Sequence, residues 1–172
     1  MLFIVLESKG GVFYKQERIG LHRKPFKLYK FRSMFPDADK KGLLTVGSRD
    51  ARITKAGYYI RKFKLDELPQ LINVLIGEMS IVGPRPEVKK YVDLYNEAQL
   101  KVLDVKPGIT DWASLQYFEE SDLLSKSMDP DKTYIEEIMP AKLKINLLYV
   151  TNHNLLEDVK IILLTIKRIF IK

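Results

Sequence analysis

Residues 66–87 read DELPQLINVLIGEMSIVGPRPE, a helix pattern that runs into a proline-locked turn. Asp66 and Glu67 put two acids in the first helical turn, where the macrodipole favours them, and Pro69 falls early enough to be tolerated. Leu68, Leu71, Ile72 and Leu75 then recur at helical spacing, and Gly77 ends the helix. Beyond it, Gly83, Pro84 and Pro86 force a rigid turn, because each residue before a proline is pushed out of the α region. Working upstream, a helical pattern begins near Lys55, carries Tyr58, Tyr59, Arg61 and Lys62, and breaks at Lys64 and Leu65. Residues 36–54 are polar and read as a mobile loop. Residues 12–34, VFYKQERIGLHRKPFKLYKFRSM, alternate aromatic or aliphatic with basic side chains on either side of Gly20 and Pro25, the pattern of a β-hairpin. Downstream, 87–105 reads as a helix ended by Lys106-Pro107-Gly108, 111–133 as an extended loop, and 134–150 as a helix despite Pro140. Residues 155–172 place Leu155, Val159, Ile162, Leu163, Ile166, Ile169 and Phe170 on one broad face, with Lys160, Lys167, Arg168 and Lys172 elsewhere. The expected class is α+β: one domain over 1–172, mainly helical, with a small antiparallel hairpin and amphipathic helices suited to a membrane interface.

A chain of 172 residues, 46% hydrophobic, has room for one good core and is too apolar for general disorder. It has no cysteine, which excludes disulfides, thiolate metal sites and cysteine nucleophiles. The net charge of +7 is unevenly spread: residues 1–64 hold 16 basic and 5 acidic side chains, the remainder 13 and 17. A cationic front of this kind implies a polyanionic partner, whether nucleic acid, an anionic membrane surface or a phosphorylated substrate. No phosphate-binding glycine loop and no nucleophilic serine elbow is present, and His22 and His153 read as ordinary surface histidines.

Three constellations can carry chemistry. Asp66-Glu67 offers neighbouring carboxylates for a nucleophile and a hard-cation ligand, or simply caps a helix. Pro84-Arg85-Pro86 can hold one guanidinium still for a bidentate grip on phosphate, or is only a rigid turn. Lys27, Lys30 and Arg32 alternate with Phe26, Leu28 and Phe31 and can line one face with cations, for phosphate or nucleic acid, or can be solvated edge lysines.

Taken in order, FYKQERIGLHRKPFKLYKFRSM, ITKAGYYIRKFKLDELPQLINVLIGEMSIVGPRPE and VKPGITDWASL resemble the bacterial sugar transferase family, the monotopic phosphoglycosyl transferases. The resemblance covers most of 13–115 and is most specific from DELPQLINVL to VGPRPE. It implies transfer of a sugar 1-phosphate from a UDP-sugar to undecaprenyl phosphate, with release of UMP, at the cytoplasmic face of a bacterial inner membrane. It also implies Asp66 as the attacking nucleophile through a phosphosugar enzyme, Glu67 as an Mg²⁺ ligand, and Lys30, Arg32, Arg61 and Arg85 as phosphate holders, with Pro84 and Pro86 shaping the turn. Of the membrane-entering segment that opens family members, MLFIVL at residues 1–6 matches only a tail end. Asp111 stands where the family's PGITG has glycine, and a carboxylate there repels a phosphate unless it points away or meets the metal. A basic nucleic-acid module without catalysis and an inactive truncated relative are the competing readings, although no nucleic acid is expected if the resemblance holds.

Overall fold

A computed structural model of the chain describes Ile4 and residues 7–171; the MLFIVL segment therefore lies, apart from Ile4, outside the described residues. Strands β1 (Phe13–Ile19) and β2 (Pro25–Phe31) form the expected hairpin, with Phe13 opposite Phe31 and Ile19 opposite Pro25. Successive side chains point to opposite faces. Phe26 and Leu28 are buried, on the face that also carries Arg18 and Lys30. Lys27 has the opposite parity and pairs with Glu17 at 2.9 Å in solvent. The three hairpin cations therefore do not share one face, because the odd spacing between Lys27 and Lys30 reverses the side of the sheet.

The expected helix at 55 is α1 (Lys55–Lys62). Its first amides are satisfied by Thr54 Oγ1, which accepts from Gly57 N at 2.9 Å, and by the Glu7 carboxylate, which accepts from Lys55 N and Ala56 N at 2.6 Å each. Lys64 then takes a left-handed conformation, φ 54°, and turns the chain into a single 3₁₀ turn, Leu65–Glu67, followed by α2 (Gln70–Leu75). The 36–54 loop has only one short turn but is cross-braced. Arg52 pairs with Asp50 at 2.6 Å and donates to the carbonyls of Ala38, Gly42 and Leu44.

Helix α2 buries polar side chains and exposes apolar ones. Asn73 is fully buried: its Oδ1 accepts from Tyr29 N at 3.0 Å and its Nδ2 donates to Lys27 O at 2.9 Å. One amide thus satisfies the open edge of β2 as a third strand would, and binds the hairpin to the helix. Gln70 is buried beside it, whereas Leu68, Leu71, Leu75 and Ile76 are 51, 43, 86 and 59% exposed. Helical spacing identified the stripe, and the tertiary structure turned it outward.

Strands β3 (Ser80–Val82) and β4 (Gly108–Thr110) form a parallel pair that the sequence did not suggest, being three residues each and far apart in the chain. They meet where glycine is required. A Cβ on Gly108 would lie 2.1 Å from Gly83 N and 2.6 Å from Val82 C, backbone atoms that cannot swing aside. The expected result of Gly108→Ala is a loss of about 3 kcal/mol, the upper range for overpacking. Thermal unfolding should register it as a midpoint lower by roughly 6–12 °C.

The stretch 87–105 is three short turns, Lys89–Val92, Glu97–Leu100 and Lys101–Asp104, rather than one helix. Asn96 is extended and opens a new turn by a reciprocal capping box with Gln99, which breaks the run. Likewise 111–133 is not an extended loop: it contains α3 (Trp112–Gln116) and two further turns, Glu120–Leu124 and Pro130–Thr133. Asp111 and Asp129 cap two of these three helical segments, a signal that the aromatic and polar composition hid. A wide π turn, Tyr134–Ile138, leads into α4 (Met139–Asn152), and α5 (Leu155–Phe170) closes the fold behind its Asn154 cap.

The largest core cluster lies between the 87–105 turns and α4 and includes Val88, Tyr91, Leu103, Leu124, Tyr134 and Leu143. Helix α5 docks by Ile161 onto Val82 and Tyr149, and by a 2.7 Å hydrogen bond between Thr165 and Thr110 hydroxyls. Its opposite stripe, Leu155, Val159, Leu163, Ile166 and Phe170, is exposed. No helix among the described residues is long and apolar enough to cross a membrane.

Candidate active site

The 3₁₀ turn after Lys64, the Pro84-Arg85-Pro86 turn at the end of β3, and the inward face of β2 converge on one cleft of about 530 Å³. That size lies in the range of small-molecule sites, about 300–1,000 Å³. Lys30, Arg61, Lys64, Asp66, Glu67 and Arg85 all line it. Six of the eight residues singled out from the sequence, Arg32 among them, thus line one concavity, from segments far apart in the chain.

The two acids, adjacent in sequence, have opposite environments. Glu67 is clamped: Oε1 accepts from Lys30 Nζ at 3.4 Å and from Arg85 Nη2, and Oε2 accepts from Arg85 Nη1 at 3.1 Å. Burial acts to raise its pKa, but the Arg85 and Lys30 cations outweigh it and hold the carboxyl well below the usual range. The same burial pulls the Lys30 ammonium down to about 8 against the opposing pull of Glu67. Asp66 is 4% exposed and its Oδ1 is buried with no hydrogen-bond partner among the described residues. Burial, and then the Glu67 charge, raise its pKa. One carboxylate is therefore locked as a structural anion, while its neighbour is desolvated and uncommitted. An uncommitted, poorly solvated carboxylate is what a nucleophile requires, since a fully hydrogen-bonded one must first shed its partners.

Arg85 is positioned by more than its prolines. Its backbone N donates to Asp111 Oδ2 at 2.8 Å, and Gly108 N donates to Pro84 O at 3.1 Å. Asp111 is fully buried; its Oδ1 caps α3 by accepting from Ser114 N, and Oδ2 also accepts from Asn146 Nδ2 at 3.4 Å. The carboxylate that replaces the expected glycine thus points into the protein, away from the cleft, and ties the arginine turn to α3 and α4.

Arg61 reaches the loop and donates to Thr45 Oγ1 at 3.1 Å, so that the loop forms a wall of the cleft. Arg32 is the outlier. Its side chain adjoins the cleft, but its guanidinium donates to the carbonyls of Ile4, Ser8, Lys9 and Gly10 at 2.7–3.3 Å. It ties the N-terminal segment to the hairpin, and its Nε is buried with no hydrogen-bond partner among the described residues.

A second ion pair, invisible to sequence reasoning, supports the turn from behind. Glu87 accepts from Arg18 Nη1 at 2.8 Å and from the Tyr134 hydroxyl, and Arg18 Nη1 also donates to Pro86 O at 3.1 Å. Glu87 ends the GPRPE motif, which was a usable signal. Arg18 and Tyr134 lie 69 and 47 residues from it, and no local pattern pairs them.

The donor set fits a hard divalent cation of the Mg²⁺ type. Asp66 Oδ1 is an orphaned buried oxygen, and Glu67, with about four acceptor positions on an ionised carboxylate, retains one on Oε2. Mg²⁺ takes one or two carboxylates and completes its shell with water and phosphate oxygens. Among the described residues there is no group of three or more side chains of metal-ligating type, so a cation here depends on such outside ligands.

Comparison with known proteins gives the class. Residues 1–172 match the family model described as bacterial sugar transferase. The chain is 42% identical over 166 residues to the uncharacterized sugar transferase EpsL of Bacillus subtilis (strain 168), covering 96% of this chain and 73% of that protein. It is 37% identical to the UDP-glucose:undecaprenyl-phosphate glucose-1-phosphate transferase of Escherichia coli (strain K12), over 99% of this chain and 35% of the relative. It is 36% identical to the UDP-N-acetylgalactosamine-undecaprenyl-phosphate N-acetylgalactosaminephosphotransferase of Aeromonas hydrophila, over 98% of this chain and 37% of the relative. The chain belongs to the bacterial sugar transferase family, and it spans little more than a third of the length of the last two relatives.

Proposed function

We propose that the protein transfers a sugar 1-phosphate from a UDP-sugar to undecaprenyl phosphate, in two displacements through Asp66. The observation that carries the reading is the pairing in one cleft of an uncommitted buried carboxylate, Asp66, with a fixed cationic frame of Lys30, Arg61 and Arg85. In the first displacement an Asp66 oxygen attacks the sugar-bearing phosphorus. The bond from that phosphorus to the bridging oxygen breaks, and the electron pair leaves on UMP. In the second, an oxygen of the lipid phosphate attacks the same phosphorus, the acyl phosphate bond breaks, and Asp66 returns to a carboxylate. Splitting one displacement in two lets each half use the same phosphate frame.

Arg85, held in place by the Pro84 and Pro86 turn and by Asp111, orients the diphosphate through a planar fork that suits phosphate oxygens. Arg61 and Lys30 balance the remaining charge. Glu67, through its remaining Oε2 position, would hold Mg²⁺, which when bound neutralises diphosphate charge and improves the leaving group, leaving Asp66 free to attack. Arg32 has no direct part in this scheme, since its Nη1 and Nη2 groups face backbone carbonyls and its Nε is buried.

The exposed apolar stripes of α2 and α5 suit a protein that meets its lipid substrate by resting on the membrane. Both helices pack against β3, and Ile81 between them is also exposed. A concave cationic cleft also suits a diphosphate better than the flat or grooved basic surface expected of a nucleic-acid module.

The test is UMP release from a panel of UDP-sugars with Mg²⁺, with and without undecaprenyl phosphate. The expected result is turnover only when the lipid is present, and without it at most one UMP per enzyme. Failure to release UMP from any UDP-sugar sinks the proposal.

A further inference from the structure

Two cations of the site are used neither by the ion pairs nor by the scheme above. Lys64 lies beside the catalytic turn and lines the cleft; its ammonium sits 4.9 Å from the centre of the Phe118 ring. The guanidinium of Arg168, from α5, sits 5.3 Å from the same ring. Two like charges meet on one aromatic side chain, and neither forms an ion pair with a carboxylate among the described residues. Such a pair repels itself and is stabilised by an anion between or beside the two cations.

The backbone supports the same reading. Lys64 is held at φ 54°, a conformation uncommon for a residue other than glycine, so its position is set at a cost of order 1–3 kcal/mol. That strain orients the lysine and, two residues on, Asp66. Phe118 belongs to the cleft wall, while Arg168 is exposed and stands outside that wall, on the lip. On its own helix Arg168 has exposed Leu164 one turn before it and exposed Ile171 three residues after it, whereas Leu155, Val159, Leu163, Ile166 and Phe170 lie on the opposite face. The sequence of environments from outside inward is therefore Leu164 and Ile171, Arg168, Phe118, Lys64, Asp66.

We infer that Lys64, Phe118 and Arg168 form the port for the acceptor: a phosphate monoester carried on a long apolar tail. The tail lies along Leu164 and Ile171, while the phosphate passes from Arg168 to Lys64 and so reaches the phosphorus held at Asp66. Phe118 keeps the two cations apart and gives them a polarizable, low-dielectric support that strengthens their hold on a phosphate. Because α5 is fixed to β4 by the Thr165 to Thr110 bond, the port is built at a set distance from the arginine turn. The inference rests on the proposed transfer reaction, and it assigns to the last helix a part in acceptor binding.

The experiment compares wild type with Arg168→Ala, Arg168→Lys and Phe118→Leu, in vesicles of neutral phosphatidylcholine containing undecaprenyl phosphate. The expected result for Arg168→Ala is a KM for the lipid phosphate raised at least about tenfold, the loss of one charge-assisted contact. Its KM for UDP-sugar and its UMP burst without acceptor should stay within about twofold of wild type, the scatter expected for an untouched contact. Arg168→Lys should recover most of the loss, and Phe118→Leu should raise the lipid KM alone. In flotation, the vesicles with undecaprenyl phosphate should capture wild type better than those without, and Arg168→Ala should lose that difference. An unchanged lipid KM in an active Arg168→Ala enzyme overturns the inference while leaving the transfer reaction standing. Equal losses in both KM values show a structural role and also overturn it. So does weaker flotation on phosphatidylglycerol vesicles with an unchanged lipid KM, which assigns Arg168 to bulk headgroups. A wild type that releases no UMP removes the transfer reaction itself and the port with it.

Discussion

Asp66→Asn is expected to lower UMP release by at least about three orders of magnitude, because an amide cannot form the acyl phosphate through which both displacements run. The fold should not suffer. Asp66 has its pKa raised by burial, so the folded state disfavours its charged form. A carboxylate with a raised folded pKa destabilises the native state at any pH above its unfolded value, and removing the charge relieves that penalty. The variant should therefore unfold at the same temperature as wild type near pH 7, or at a higher one. Loss of activity together with unchanged or raised thermal stability identifies a chemical role; substantial residual turnover rejects Asp66 as nucleophile. Mass spectrometry of wild type quenched with UDP-sugar and no acceptor should show a sugar phosphate adduct that is absent from Asp66→Asn.

Arg85→Ala should fail in both respects. It removes the fork that would hold the diphosphate, and it leaves Glu67 buried against Lys30 alone. Breaking a buried pair by deleting one partner costs about 3–5 kcal/mol, because the remaining charge is uncompensated. The expected outcome is a clear drop in thermal stability and activity reduced by about a hundredfold or more. Pairing it with Glu67→Gln separates the effects: the double variant should regain most of the lost stability, since no unpaired carboxylate remains, and none of the activity. A double variant no more stable than Arg85→Ala contradicts the account of Glu67 as a clamped anion. The pH dependence follows the same logic. Glu67 is held well below the usual carboxylate range, so its ion pairs contribute stability above the unfolded value near 4.5 and lose it as the pH falls through the depressed folded value.

Much of this site was legible from local patterns. The Asp66-Glu67 pair, the proline-locked Arg85 and the hairpin with Lys30 each had a short-range signature: an acidic first turn, a restricted dipeptide, an alternation of period two. What those patterns did not reveal was how each charge is used. Arg32 and Lys30 are two residues apart on similar motifs, yet one is spent on four backbone carbonyls and the other on Glu67. Asp111 looked like a hazard to a bound phosphate and is instead the buried brace of the arginine turn. Both outcomes depend on partners 18 to 37 residues away or on the direction of a side chain, which composition and spacing do not encode.

The amino-acid sequence alone determined the elements and their chemistry: hairpin, acidic turn, rigid arginine and amphipathic last helix, because each follows from backbone sterics and periodicity within about 20 residues. Only the tertiary structure decided which faces are buried and which acid is free. The apolar stripe of α2 is turned outward because Asn73 and Gln70 are needed inside, where Asn73 closes the open edge of β2. Asp66 and Glu67 differ because Arg85 and Lys30, brought from other segments, both reach Glu67 and leave Asp66 Oδ1 without a partner. A buried polar group must be satisfied by whatever the fold brings within about 3 Å, and that is a property of the assembled chain.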